Sequence, residues 1–412
     1  MIAQRDRNIL RELGKRKAEI AALPVQDERR RAWSKLNDLY SERPMVWIFE
    51  IPWHEMNVDD ELTLRCEDEP ARTLELALRR ELYQWDHMPG DMVIGPAIEV
   101  GPSVRDTGFG LSEQVDIAQT DPASSVVSRS YHIQIRNEGD IDKIQTPEVT
   151  LDAEMWDRRY ELLSEIFDGV LPVERAGFKS TSIAPWDLLV RLTGVDELLI
   201  DMHERPAYVH KSIDRLTRAH IRRLEKYEDL NILAPNNDRW LGGGYQFTDG
   251  LPGASMNPDR IVPSDMWGRT MSQIFSAVSP AMHEEFALQY ECRYLSRFGL
   301  TYYGCCEPLD KKVDILRNNV PNLRKISMSP WIDLDLAAEN VDTDFVFSFK
   351  PNPAVLAVDQ WDPAFVRKDM AATLERLEGL HVELVMKDIS TVRYEPQRLW
   401  EWARIASELC AV

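Results

Sequence analysis

The sequence predicts an α/β fold, a (β/α)8 barrel with an N-terminal helical arm and long inserted loops, and three observations carry that expectation. Short apolar runs rich in β-forming residues recur: MVWIFEIPW after Pro44, Asp91-Met92-Val93-Ile94, Asn231-Ile232-Leu233, Leu300-Thr301-Tyr302-Tyr303, Leu323-Arg324-Lys325-Ile326-Ser327, Phe345-Val346-Phe347-Ser348 and Val382-Glu383-Leu384-Val385-Met386. Amphipathic stretches such as 281–298 and 363–377 separate most of them, and strands joined through helices pair in parallel. A chain of 412 residues is long enough for one large barrel with insertions, and roughly seven or eight strand–helix units suit a barrel better than an open sheet.

Residues 4–42 alternate charged and apolar positions at helical spacing, with a break at Ala22-Leu23-Pro24. They predict two helices, and residues 1–43 are read as an arm ahead of a barrel spanning 44–412. Gly-Pro, an acidic stretch and the alternating SVVSRSYHIQI mark 100–150 as an inserted hairpin or excursion after the second strand. Residues 235–265, with Gly242-Gly243-Gly244, Asp249-Gly250 and Pro252-Gly253, form a long loop after the fourth, and the triple glycine is read as flexibility. His203, His210 and His220 fall on one helical stretch, 204–227, and are read with His283 as structural.

Composition excludes some functions. The formal net charge of −20, from 69 acidic and 49 basic residues, repels polyanions and argues against nucleic acid. No run of about 18 apolar residues suggests a bilayer span, and MIAQRDRNILRELGKRK lacks the apolar core of a signal peptide. A cytoplasmic protein is expected. Five cysteines, at 66, 292, 305, 306 and 410, are too few and too odd in number for a disulfide framework.

In a parallel barrel the chemistry projects from the C-terminal strand ends. Reading just beyond each run gives Glu50 and His54; Glu99; Asn236, Asn237 and Asp238; Cys305, Cys306 and Glu307; Ser329 and Trp331; Lys350 and Asn352; and Lys387 and Asp388. Two soft thiols beside a carboxylate are candidate Zn²⁺ ligands, with His54 as a nitrogen donor. Packing thiols with a substrate-binding Glu307 are the alternative. Adjacent side chains on an extended chain point opposite ways, so shared ligation requires a turn. Lys350 and Lys387 are candidates to hold a carboxylate or phenolate.

The order of motifs resembles the uroporphyrinogen decarboxylase superfamily, which includes corrinoid-dependent methyltransferases. The likeness covers roughly 44–410. Pro44–Asn57 stands where that family has its first-strand segment, Pro185-Trp186 in its Gly-Pro-Trp region, and Arg205-Pro206 then His210 at a following helix start. Phe298-Gly299-Leu300 leads into Cys305 as the family's His-x-Cys-Gly strand does, and Lys350-Pro351-Asn352-Pro353 stands at its Gly-Asn-x-Asp-Pro. The arginines with which true decarboxylases hold a porphyrinogen are missing from Phe49-Glu50-Ile51-Pro52-Trp53-His54, so the likeness is nearer to the methyltransferase branch.

That branch implies methyl transfer between a small methylated compound and a corrinoid on a partner protein, a zinc site, and often a homodimer. Here Tyr303-x-Cys305 replaces His-x-Cys, and Lys387-Asp388 stands near the second cysteine. The expected roles are Glu307, Lys387 and Asp388 in catalysis, Glu50, His54, Trp331, Lys350 and Asn352 in substrate binding, and Cys305, Cys306 and His54 as metal ligands. A carboxy-lyase, or a tetrapyrrole- or corrinoid-binding protein without turnover, are the alternatives.

Overall fold

Apolar residues at helical spacing wind the N-terminus into α1 (Gln4–Ala21) and α2 (Pro24–Asn37), divided where Pro24 opens the second helix at a position that needs no backbone N–H. The protein is described here by a computed structural model covering residues 2–119, 122, 124 and 127–411. The helices lie where the sequence puts them. Both pack onto the rest of the chain: Lys17 pairs with Glu81 of α3 (Glu69–His87) at 2.7 Å, and Trp33 is fully buried.

The centre of the molecule is one parallel sheet of seven strands: β1 (Met45–Ile48), β2 (Ser182–Ile183), β3 (Trp267–Thr270), β4 (Leu300–Tyr303), β5 (Leu323–Met328), β6 (Val346–Phe349) and β7 (His381–Met386). Their order is β1-β7-β6-β5-β4-β3-β2. In register, Ile48 lies opposite Met386, Phe349 opposite Leu384, Met328 opposite Phe349, and Tyr303 opposite both Ile326 and Thr270. The chain thus has a mixed α/β fold. The runs at 45, 300, 323, 345 and 382 all become strands of this sheet, because each is a β-rich segment buried on both faces.

Two expected strands do not form. The run 91–94 lies beside β1, but side chains hold its backbone. Trp33 Nε1 donates to Asp91 O at 2.8 Å, Arg29 to Met92 O at 2.8 Å and Tyr245 Oη to Val93 O at 3.0 Å, while Gln26 Oε1 accepts from Ile94 N at 2.9 Å. The run 231–233 makes a single bridge, Phe178 to Leu233. Beyond it the Asn236 side chain takes the place of a ladder, receiving Trp267 N at 2.8 Å and donating to Trp267 O at 3.0 Å. Conversely β3, Trp-Gly-Arg-Thr, is too polar to read as a core strand, yet all four residues are buried.

The excursion at 100–150 does contain paired strands. Val115–Ala118 runs antiparallel to Ser128–Tyr131, and Val104–Asp106 to Val149–Leu151. Ser125 and Val126, the first residues of the alternating stretch, lie outside the described residues. His203 belongs to a separate helix, Val195–Glu204, ahead of Pro206–Asp229, because Pro206 cannot continue the first. The helix expected over 281–298 carries a π-turn at Glu284–Leu288. Among the described residues no helix is long and apolar enough to cross a membrane.

The triple glycine is packed, not flexible. A Cβ on Gly242 would fall 1.8 Å from Arg269 Nη1, on Gly243 2.6 Å from Glu383 Oε1, and on Gly244 2.3 Å from the Trp33 ring. The segment passes directly over side chains from α2, β3 and β7, and only glycine leaves room for it.

Candidate active site

At the end of β4 the chain turns at Gly304, whose φ of +96° and close neighbour, Leu309 Cδ1 at 2.5 Å from an added Cβ, both require glycine. Arg269 Nη2 donates to Gly304 O at 2.8 Å, and Glu307 accepts Cys305 N at 2.9 Å and Ser272 N at 3.1 Å. These bonds fix the turn. They also bring the two thiols to one side, with Cys305 Sγ 3.7 Å from Cys306 Sγ.

Register supplies the opposing group. Because Ile48 pairs with Met386, Phe49-Glu50 lie beside Lys387-Asp388, and Glu50 Oε2 accepts Asp388 N at 3.1 Å. Lys387 Nζ then reaches Cys305 Sγ at 3.2 Å, Cys306 Sγ at 3.5 Å, Asp388 Oδ2 at 3.2 Å and Glu50 Oε2 at 3.7 Å. The Phe49 ring lies 5.6 Å from the same ammonium. Cys306 donates to Asp388 Oδ2 at 3.3 Å.

The electrostatics follow from this packing. The contact with Cys306, and the cations of Arg269 and Lys387, outweigh burial and hold the Cys305 thiol well below its ordinary range. Cys306 moves up, chiefly through its hydrogen-bond contact with Cys305 and then through burial. Burial disfavours the Lys387 ammonium, but the thiolate and the carboxylates more than offset it and raise its pKa. Glu50 is pushed up to about 7, mainly by burial. Burial pushes Asp388 up, but the Lys387 charge and the hydrogen bonds with Glu50, Cys306 and Lys387 together outweigh it and hold the carboxyl low.

Beneath this cluster the interior is polar and closed. Lys325 meets Glu383 at 2.7 Å, and Lys350 Nζ donates to Tyr302 Oη and Ser348 Oγ, both at 2.6 Å. Burial pulls Lys350 down to about 7. Tyr303, alternating with Tyr302, points the other way and donates to Glu291 Oε2 at 2.7 Å, with His283 Nε2 at 2.6 Å.

The structure therefore brings Cys305, Cys306, Lys387, Asp388 and Glu50 together and gives the side chains of the other expected residues different partners. Glu307 is fully buried and spends its oxygens on backbone N–H groups. Lys350 turns inward, and Asn352 accepts Ala354 N as a cap. Trp331 is 72% exposed. His54 sits 3.5 Å from Glu55, which binds Thr391 and Val392. Among the described residues no three His, Cys, Asp or Glu side chains converge to hold a metal. The expected Cys305, Cys306 and His54 set is not assembled, and the Lys387 ammonium stands against both sulfurs instead.

Sequence reasoning passed over Arg269, Lys325 and Glu383. Their signal was present: a charged residue inside a strand-like run, Lys325 in Leu-Arg-Lys-Ile-Ser or Glu383 in Val-Glu-Leu, has to find a buried partner.

No protein-family model matches the chain, and no curated protein sequence does. Among solved structures it is similar to a methyltransferase from Methanosarcina mazei, at 11% identity and a TM-score of 0.51, over 92% of this chain and 97% of that one. At that identity the likeness is one of fold.

Proposed function

We propose that the chain is a methyltransferase-like enzyme that moves a methyl group between a small methylated, for example methoxylated, compound and a corrinoid carried by a partner protein. The observation that carries this reading is the thiol, ammonium and carboxylate cluster at the ends of β4 and β7, on a chain whose fold is similar to that of a methyltransferase over 92% of its length.

The fold reading that accompanies it is a (β/α)8 barrel. β4 and β7 are three positions apart in the sheet, a separation of about 14 Å on a flat surface. Yet Lys387 touches Cys305, which supports a sheet curled with the cluster on its concave side. Segments 91–100 and 173–178 would complete the barrel. The order of motifs supports reading it as nearest to the uroporphyrinogen decarboxylase superfamily's methyltransferase branch.

Zinc fits only in part. Two sulfurs on one tetrahedral Zn²⁺ lie about 3.8 Å apart, close to the 3.7 Å seen here. Among the described residues no third donor converges, and Lys387 holds the position against the sulfurs. No step is therefore assigned to a metal.

The residues themselves suffice for the electrostatic part. Lys387, kept charged by its anionic neighbours, stabilises negative charge developing on the leaving heteroatom. Glu50, titrating near neutrality, is placed to give that atom a proton, and Asp388 holds the ammonium in position. A corrinoid supplies the nucleophilic cobalt that exchanges the methyl carbon.

The test is incubation of the purified protein with a reduced corrinoid protein, a methyl acceptor and a panel of methoxylated and methylated compounds. A methylated-corrinoid spectrum with stoichiometric demethylated product is expected. Its absence across the panel would overturn the reading. The Lys387 ammonium at the cluster also favours a carboxy-lyase, with Lys387 holding the carboxylate, and release of carbon dioxide without methylated corrinoid would support that instead.

A further inference from the structure

The two thiols of the cluster are adjacent in sequence, in van der Waals contact at 3.7 Å, and unequal in environment. Cys305 is 7% exposed and faces the Lys387 ammonium, while Cys306 is half-buried and donates to Asp388, on the more open side. One sulfur is thus set up as a nucleophile and its neighbour as a thiol with a carboxylate to receive its proton. Cys66, Cys292 and Cys410 have no such surroundings. Each is pushed up to about 12, chiefly by burial, and so stays protonated and unreactive.

We propose that Cys305 and Cys306 form a reversible dithiol–disulfide couple, a modification site whose oxidant is a hydroperoxide. The Cys305 sulfur gives an electron pair to one peroxide oxygen. The O–O bond breaks, the departing oxygen takes a proton from solvent, and Cys305 is left as a sulfenic acid. Cys306 then attacks that sulfur and passes its proton to Asp388. The S–O bond breaks, and the hydroxyl leaves as water with that proton. Both sulfurs are oxidised, both peroxide oxygens are reduced, and a small thiol reverses the change by exchange.

The product is strained. Neighbouring Cα atoms are held about 3.8 Å apart by a trans peptide, below the range of roughly 4.4–6.8 Å for ordinary disulfides. Such a bond is readily reduced, as a switch requires. Its formation withdraws both sulfurs from Lys387 and leaves that ammonium with Glu50 and Asp388 alone. The couple concerns the sulfur pair itself, so it stands apart from the methyl-transfer reading.

The experiment treats the full-length reduced protein, without substrate, with hydrogen peroxide. It follows intact mass, the mass of the 305–306 peptide and circular dichroism. The folded chain is expected to lose two hydrogens, located in that peptide and restored by dithiothreitol. Cys306→Ser is expected to stop at a Cys305 sulfenic acid that dimedone traps. Cys305→Ser, which leaves Cys306 alone at the turn, is expected to react with peroxide there roughly tenfold or more slowly than the wild type and to lose no pair of hydrogens. Passage of wild-type Cys305 to sulfinic acid without loss of two hydrogens would overturn the proposal. So would earlier reaction at Cys66, Cys292 or Cys410.

Discussion

Lys387 stands 3.2 Å from both Cys305 Sγ and Asp388 Oδ2, so neutralising it acts on the thiol and the carboxylate together. In the native protein alkylation of Cys305 by iodoacetamide should vary little between about pH 6 and 8, because the thiol is already ionised there. In Lys387→Gln the folded-state pKa rises toward the ordinary thiol value of about 8.5, and alkylation should climb steeply with pH over that interval. The same variant should lower kcat for methyl transfer by roughly 100-fold, the scale of losing one aligned electrostatic donor. An unchanged alkylation profile would show that Arg269 and Cys306 alone hold the thiolate. The types of residue at this site were legible from strand-end logic, which named Glu50, Cys305, Cys306, Lys387 and Asp388. Their partners were not, because a contact across a sheet depends on curvature rather than on neighbours in sequence.

The segment through Gly242, Gly243 and Gly244 shows how far composition can mislead about an element. Glycines in a long loop imply mobility, but here they mark close approach, with Gly244 against Trp33 and Gly243 against Glu383. Gly244→Ala should therefore destabilise by about 1–3 kcal/mol through overpacking, read as a lower urea midpoint at constant slope. Gly253→Ala, with nothing within 4 Å of the added Cβ, should leave the midpoint unchanged. Equal effects would contradict the packed path. Strands tell the converse: β4, β5, β6 and β7 were readable as apolar runs, whereas β3 was not, since Arg269 is buried only because Gly304 O and the Tyr302 ring await it.

Over the whole molecule, the N-terminal helices were foreseen as an arm, and their attachment proves deep. Trp33 is fully buried, caps Asp91 O at 2.8 Å and abuts Gly244, while Asn37 Nδ2 donates to Tyr245 O and Phe247 O, both at 2.8 Å. Trp33→Ala should cost about 3–5 kcal/mol, seen as a single cooperative transition at lower denaturant. A separate early transition, with the remainder unfolding as before, would instead mark the arm as an independent unit.

By itself the sequence determined the alternation of strands and helices, the two N-terminal helices, the inserted hairpin and the residue types at the strand ends, because periodicity and position along a strand are local properties. Only the tertiary structure decided that 91–94 is held by side chains, that β3 joins the sheet, and that Lys387 rather than a third ligand meets the two thiols. Those outcomes depend on which groups the folded chain brings within about 4 Å, and in the low-dielectric interior every buried charge must find its partner there.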